Sequence, residues 1–188
     1  MFTRERKVIS MKKMTIIVAV VLVAVVAVGV GWYLYSAVVP GSASATKTVV
    51  DSRGESVQIP ADVQRVVALR SGIIETMVAL GADDLLVAVD ESTKAGTIYG
   101  EFPVTLRPGL VDLPCPVSKE PNIEEMLALE PDVTLIGGYG RIKWIAPLEN
   151  RDLKVVVTHF EEIDNFTRDL RILGEVLNKQ AKAEELAS

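Results

Sequence analysis

Four basic side chains, Arg70, Lys119, Arg141 and Lys143, fall just after apolar runs that read as strands, although most of the chain is acidic. Positive charge gathered where strands end suits an anionic ligand held without covalent chemistry. Tyr99, Tyr139 and Trp144 lie in the same stretches and offer flat contact surface. The reactive side chains an enzyme would use are scarce. One His, His159, and one Cys, Cys115, cannot make a multi-ligand His/Cys zinc site or an intramolecular disulfide. His159 has no Gly-x-Ser-x-Gly elbow to serve. Gly137-Gly138-Tyr139-Gly140 follows a strand, but position 143, where a dinucleotide fingerprint needs glycine, is Lys, and no Gly-Lys-Ser/Thr phosphate loop occurs. The paired acids Glu124-Glu125, Glu161-Glu162 and Glu184-Glu185 are adjacent, so they point to different sides of a helix and form no acid–base pair. The expectation is a binding protein with no catalytic residue, no metal site and no cofactor.

The elements that must position these residues alternate strand and helix. Thr48–Asp51 and Glu55–Ile59 flank Ser52-Arg53-Gly54 and predict a β-hairpin. Arg65–Leu69, Leu85–Val89, Val133–Ile136 and Lys154–Thr158 are short apolar runs, as strands buried on both faces require, and Leu110-Val111 adds a brief one. A helix opens at Ser71-Gly72 and closes at Gly81. The clearest helix starts at Pro121-Asn122, with Asn122 as N-cap, Glu125 in capping-box spacing, and an end at Pro131-Asp132. Residues 91–109 show no sustained period and read as loop; a short helical stretch over Ile142–Leu148 is interrupted by Pro147. From about 161 to 188 the stripe Ile163, Phe166, Leu170, Leu173, Leu177 predicts one long helix. The fold class expected is α/β, a parallel sheet covered by helices in a Rossmann-like lobe. Its ligands would meet the loops after the strands: Arg70–Gly72, Asp90–Lys94, Leu113–Pro121, Gly138–Lys143 and His159–Glu162. The candidate ligand contacts are Arg70, Ser71, Lys119, Tyr139, Arg141 and His159.

The charge is divided unevenly. Residues 1–45 carry five of the 20 Lys/Arg and one of the 25 Asp/Glu, leaving 15 basic and 24 acidic residues in 46–188, a net of −9. An acidic body argues against nucleic acid as a partner. Ile16–Val39 is free of charge, and 24 helical residues reach about 36 Å, enough to cross a hydrocarbon core. Trp32, Tyr33 and Tyr35 stand near its end, and the preceding basic cluster places the N-terminus in the cytoplasm. The organisation expected is a basic stub over 1–15, a transmembrane anchor or signal segment over 16–39, a tether over 40–47, and a lobe over 48–188. Ala43-Ser44-Ala45 has the form of a cleavage site, so a released domain is the alternative to an anchored one.

Ordered landmarks from Thr48 to Leu186 resemble the amino-terminal lobe of the periplasmic-type substrate-binding proteins that serve ABC importers for ferric siderophores, haem and cobalamin. TVVDSRGESVQIP with RVVAL (48–60, 65–69) is similar to the family's opening hairpin and first strand. SGIIETMVALGADDLLVAVD (71–90) is similar to its first helix and second strand, and PNIEEMLALEPDVTLIGG (121–138) to its Asn-apolar-Glu helix and following strand. LKVVVTHFEEIDNFTRDLRILGEVLNKQAKAEEL (153–186) resembles its last strand and inter-lobe helix, here about 161–188. The resemblance implies two lobes around a ligand cleft, of which this chain would supply one. It also implies docking on an ABC importer permease through an acidic residue, at this chain's Glu124. Tyr139 or His159 would be the axial ligand were the cargo haem. The alternatives are a membrane-anchored single-lobe protein-interaction module, favoured by an exposed apolar face on the last helix, and a nucleotide-binding α/β enzyme, disfavoured by the missing phosphate loop. A direct zinc or manganese binder is disfavoured by the single His.

Overall fold

Runs of β-branched and aliphatic residues form the centre of the molecule. The computed structural model describes residues 45–97, 100–138, 140–159 and 163–188. The expected membrane segment at 16–39 lies outside them; among the described residues no helix is long and apolar enough to cross a membrane. Strands β1 (Thr46–Val50) and β2 (Ser56–Pro60) make an antiparallel hairpin, with Val49 opposite Val57. Strands β3 (Val66–Ala68), β4 (Leu86–Ala88), β5 (Val133–Gly137) and β6 (Val155–Thr158) form a parallel sheet in the order β4-β3-β5-β6.

Alternation along these strands sends side chains to two cores. Val66, Ala68, Val133, Leu135 and Val156 face one layer with the hairpin, helix α1 (Ser71–Ala79) and the two C-terminal helices. Val67, Leu69, Ile136, Val155 and Val157 face the other, which holds Met126, Trp144, Ile145 and Leu148. These come from α4 (Ile123–Ala128) and α5 (Ile142–Glu149). Asn122 caps α4 as its spacing predicts, accepting the Glu125 N–H at 3.2 Å. Helix α5 runs through Pro147 without a break.

Three further expectations change, beside the one at Pro147. Residues 91–109 contain two short helices, α2 (Glu91–Ala95) and α3 (Glu101–Leu106). Leu110-Val111 belongs to a 3-10 turn over Pro108–Asp112 instead of a strand, with Lys94 Nζ donating to the carbonyls of Val111 and Leu113. The single long helix is two, α6 (Ile163–Val176) and α7 (Gln180–Ala187), folded back on each other. Asn178 takes the left-handed region at φ 57° and turns the chain. Lys47 from β1 fixes that bend, its Nζ donating to the Glu175 and Val176 carbonyls at 2.7 and 2.9 Å and to Asn178 Oδ1 at 2.6 Å. Gly174 lets the helices close, since a Cβ there would lie 2.5 Å from that of Ala183. Arg171 and Glu184 join them by two hydrogen bonds.

The hairpin turn is tied to the sheet by buried Asp51, which accepts from the Arg53, Glu55 and Val157 backbone N–H groups and from Arg53 Nε. Ser52 N donates to the Val157 carbonyl at 3.0 Å, so the turn occupies both outward backbone groups of that residue on edge strand β6. Ser52 Oγ and the His159 backbone N–H both donate to Asp169 of α6, itself fully buried.

Candidate ligand-binding edge

The chain leaves β3 to build β4 on one side of it, then crosses back to build β5 on the other. Loops leaving the carboxyl ends of β3 and β5 therefore diverge, and open sheets hold ligands in the crevice this creates. Arg70 follows β3 and Arg141 precedes α5 after the β5 turn. Arg70, Ser71 and Arg141 line one cleft of about 310 Å³ together with Asp90 and Ser92.

Two glycines at the end of β5 are overlain by neighbouring side chains. A Cβ on Gly137 would lie 2.1 Å from Arg70 Cδ, and one on Gly138 would lie 1.8 Å from His159 Cδ2. Both are closer than non-bonded carbons come, so Arg70 and His159 cross the strand end only because these positions carry no side chain. Arg141 lies over the Trp144 ring, its guanidinium carbon 5.3 Å from the centroid. Trp144 is held in turn by its indole N–H, which donates to Glu120 alongside Lys143 Nζ. That lysine bond is the main influence holding the Glu120 carboxyl below the usual carboxylate range. Lys143 is thus engaged by an acid and does not line the cleft.

The remaining expected residues are dispersed. Lys119 is exposed on a small loop closed by the Val117–Pro121 bridge and does not line the cleft. Tyr139 and Tyr99 lie outside the described residues. Glu124 stands in the first turn of α4 with its side chain 76% exposed, 3.1 Å from Arg151. Its carboxyl is held low first by its own backbone N–H and then by Arg151.

Asp90 and Ser92 fall in the expected loop Asp90–Lys94 but were not singled out as contacts, although Asp at a strand end is a favoured N-cap residue. Asp90 caps α2, accepting the Thr93 N–H at 3.1 Å, and is only 2% exposed. Its charge reaches Glu75 of α1, whose carboxyl is pushed up first by burial and then by Asp90.

Two larger cavities lie away from this edge. One of about 480 Å³ separates β2 from β6, and its Arg53 is engaged by Asp51 and Glu149. Another of about 390 Å³ is apolar, between α1, α3 and the α6–α7 pair, and is lined by Glu75, Phe102, Phe166, Leu170 and Leu186.

A family model described as periplasmic binding protein matches residues 66–188. The achromobactin-binding periplasmic protein of Dickeya dadantii (strain 3937) is 30% identical over 124 residues, 65% of this chain and 38% of that protein. The molybdate-binding protein MolA of Haemophilus influenzae superposes with a TM-score of 0.67 at 23% identity, over 75% of this chain and 49% of that one. The haem-binding protein HmuT superposes with a TM-score of 0.58 at 20% identity, over 79% of this chain and 46% of that one. The chain thus spans 38% of its curated relative and just under half of these structures. At such identities the superpositions establish the fold.

Proposed function

The chain belongs to the periplasmic binding protein family, and from that premise we propose that it captures a metal chelate outside the cytoplasm for an ABC importer. Ferric siderophore, haem and cobalamin are the cargo class, held without covalent chemistry. The observation that carries this reading is the cleft at the switch point in which Arg70, Ser71 and Arg141 meet. Two guanidinium groups on one wall suit the anionic oxygens of a chelate, because a charge-assisted hydrogen bond is roughly twice as strong as a neutral one. His159, crossing Gly138 beside them, would complete the wall, with Tyr139 on the same loop as Arg141. Glu124 is the contact for a permease arginine; its exposure supports this, and Arg151 would have to be displaced or shared. Residues 16–39 would hold the lobe to the membrane, and cleavage near Ala45 would release it.

The full chain in detergent, titrated with ferric siderophores, haemin and cobalamin, tests the cargo through Trp144 emission. At least one chelate should quench it, and the Arg70→Gln, Arg141→Gln double variant should weaken that binding by about tenfold or more. No quenching by any chelate, or equal binding by the variant, would overturn the reading.

The apolar groove favours a second reading, a membrane-anchored protein-interaction module. Phe102, Phe166 and Leu186 are 60%, 46% and 43% exposed there, and clustered apolar exposure marks interfaces. That reading requires a Phe102→Ser variant to lose its partner while chelate titrations stay silent.

A further inference from the structure

Among the described residues, Asp90 is the one acid in the wall of the ligand-edge cleft. It is 2% exposed and walls the same cleft as Arg70, Ser71, Ser92 and Arg141. One oxygen, Oδ1, does the capping of α2; the other has no hydrogen bond among the described residues. Capping requires neither a second oxygen nor a charge, since Ser and Asn cap as well as Asp. The second oxygen is not among the buried polar atoms left without a partner, so it is open to the cleft that Asp90 lines, and the capping of α2 makes no use of it.

We propose that Asp90 is a specificity-determining residue for the ligand edge. The arginines and serines supply donors, and Asp90 supplies the acceptor facing them. A group that fits has negative oxygens for Arg70 and Arg141 and, beside them, an O–H or N–H for Asp90. Hydrogen phosphate and α-hydroxycarboxylates have that pattern. A fully deprotonated oxyanion such as sulfate does not, and would bring its oxygens against a buried carboxylate with no proton between them. Sites built to hydrogen-bond a ligand hydroxyl reject the analogue lacking it far more strongly than apolar pockets reject a missing methylene. This inference rests on the ligand-edge reading above and narrows the chemistry of the arm that enters the cleft.

The test titrates the full chain in detergent with inorganic phosphate and with sulfate at pH 7 and matched ionic strength, following arginine Nε–H resonances. Phosphate should bind about tenfold more tightly or better. Asp90→Asn keeps the cap and turns the second atom into a donor, so it should erase or invert that preference. Asp90→Ser keeps a cap without the charge and should erase it too. Unchanged thermal unfolding in both variants separates selectivity from loss of fold. Equal affinities in the parent protein, binding of neither anion, or a phosphate preference that survives both variants would overturn the inference. Chelate binding that depends on Arg70 and Arg141 while phosphate and sulfate titrate alike removes the role of Asp90 and leaves the cargo reading standing. An Asp90-dependent phosphate preference without chelate binding does the reverse.

Discussion

The tightest constraint at the level of single residues is the absence of two side chains. Gly137 and Gly138 are buried at the end of β5, and each is crossed by a polar side chain from a neighbouring strand end. Gly138→Ala places a methyl group where the His159 ring now lies, so the ring must turn away from the end of β5. The expected result is loss of chelate binding by about tenfold with a destabilisation of about 1–3 kcal/mol, read by titration and urea unfolding. A variant that binds normally would show that His159 takes no part in the ligand wall. In the sequence these glycines show only as residues that follow a strand, because glycine reports a backbone need and conceals which side chain passes over it. The position of Arg70, Ser71 and Arg141 at one edge of the sheet was legible, since strand ends are found from apolar runs alone. Asp90 was placed in an expected ligand loop but not singled out, because an acid after a strand reads as solvated until its burial is known. Lys119 was grouped with them by its place in a strand-end loop, and the Val117–Pro121 bridge folds that loop on itself.

Among the elements, the bend between α6 and α7 depends on a residue more than a hundred positions away. Lys47 gathers the last carbonyls of α6 and the Asn178 side chain, the place where a cation also favours the helix dipole. Burial lowers the pKa of its ammonium group, with Glu175 and Asp62 opposing that shift. Lys47→Met keeps the stem and removes the donors, and should cost about 2 kcal/mol in urea unfolding, with faster amide exchange confined to residues 174–183. Uniform loss of protection would place the lysine's role elsewhere. The break itself was hidden because Leu170, Leu173 and Leu177 keep helical spacing into the bend, and all three are buried. Helices α2 and α3 were hidden for the opposite reason. At five and six residues they are too short to show a period; α2 is bounded by the Asp90 cap and by Gly96 in the left-handed region, and α3 by Gly100 and Arg107. The four parallel strands were legible because burial on both faces demands unbroken apolar runs.

For the whole molecule, the two cores on either side of the sheet make residues 45–188 a unit whose stability is set by burial. Leu173→Ala, at a fully buried site in the larger core, should cost about 2–5 kcal/mol in the same assay. That variant is the control for a different property. Strand β6 ends the sheet, and Val155-Val156-Val157-Thr158 is the kind of uncharged, β-branched segment that recruits a second chain by backbone pairing. The hairpin turn stands in the way, because Asp51 and Ser52 already hold both outward groups of Val157. Asp51→Ala should therefore raise thioflavin-positive self-assembly well above that of Leu173→Ala at equal native fraction, and equal assembly would deny the turn this role. A turn whose local task is to reverse the chain thus also keeps each molecule from growing into its neighbours, so colloidal behaviour at high concentration would hinge on one carboxylate far from any ligand.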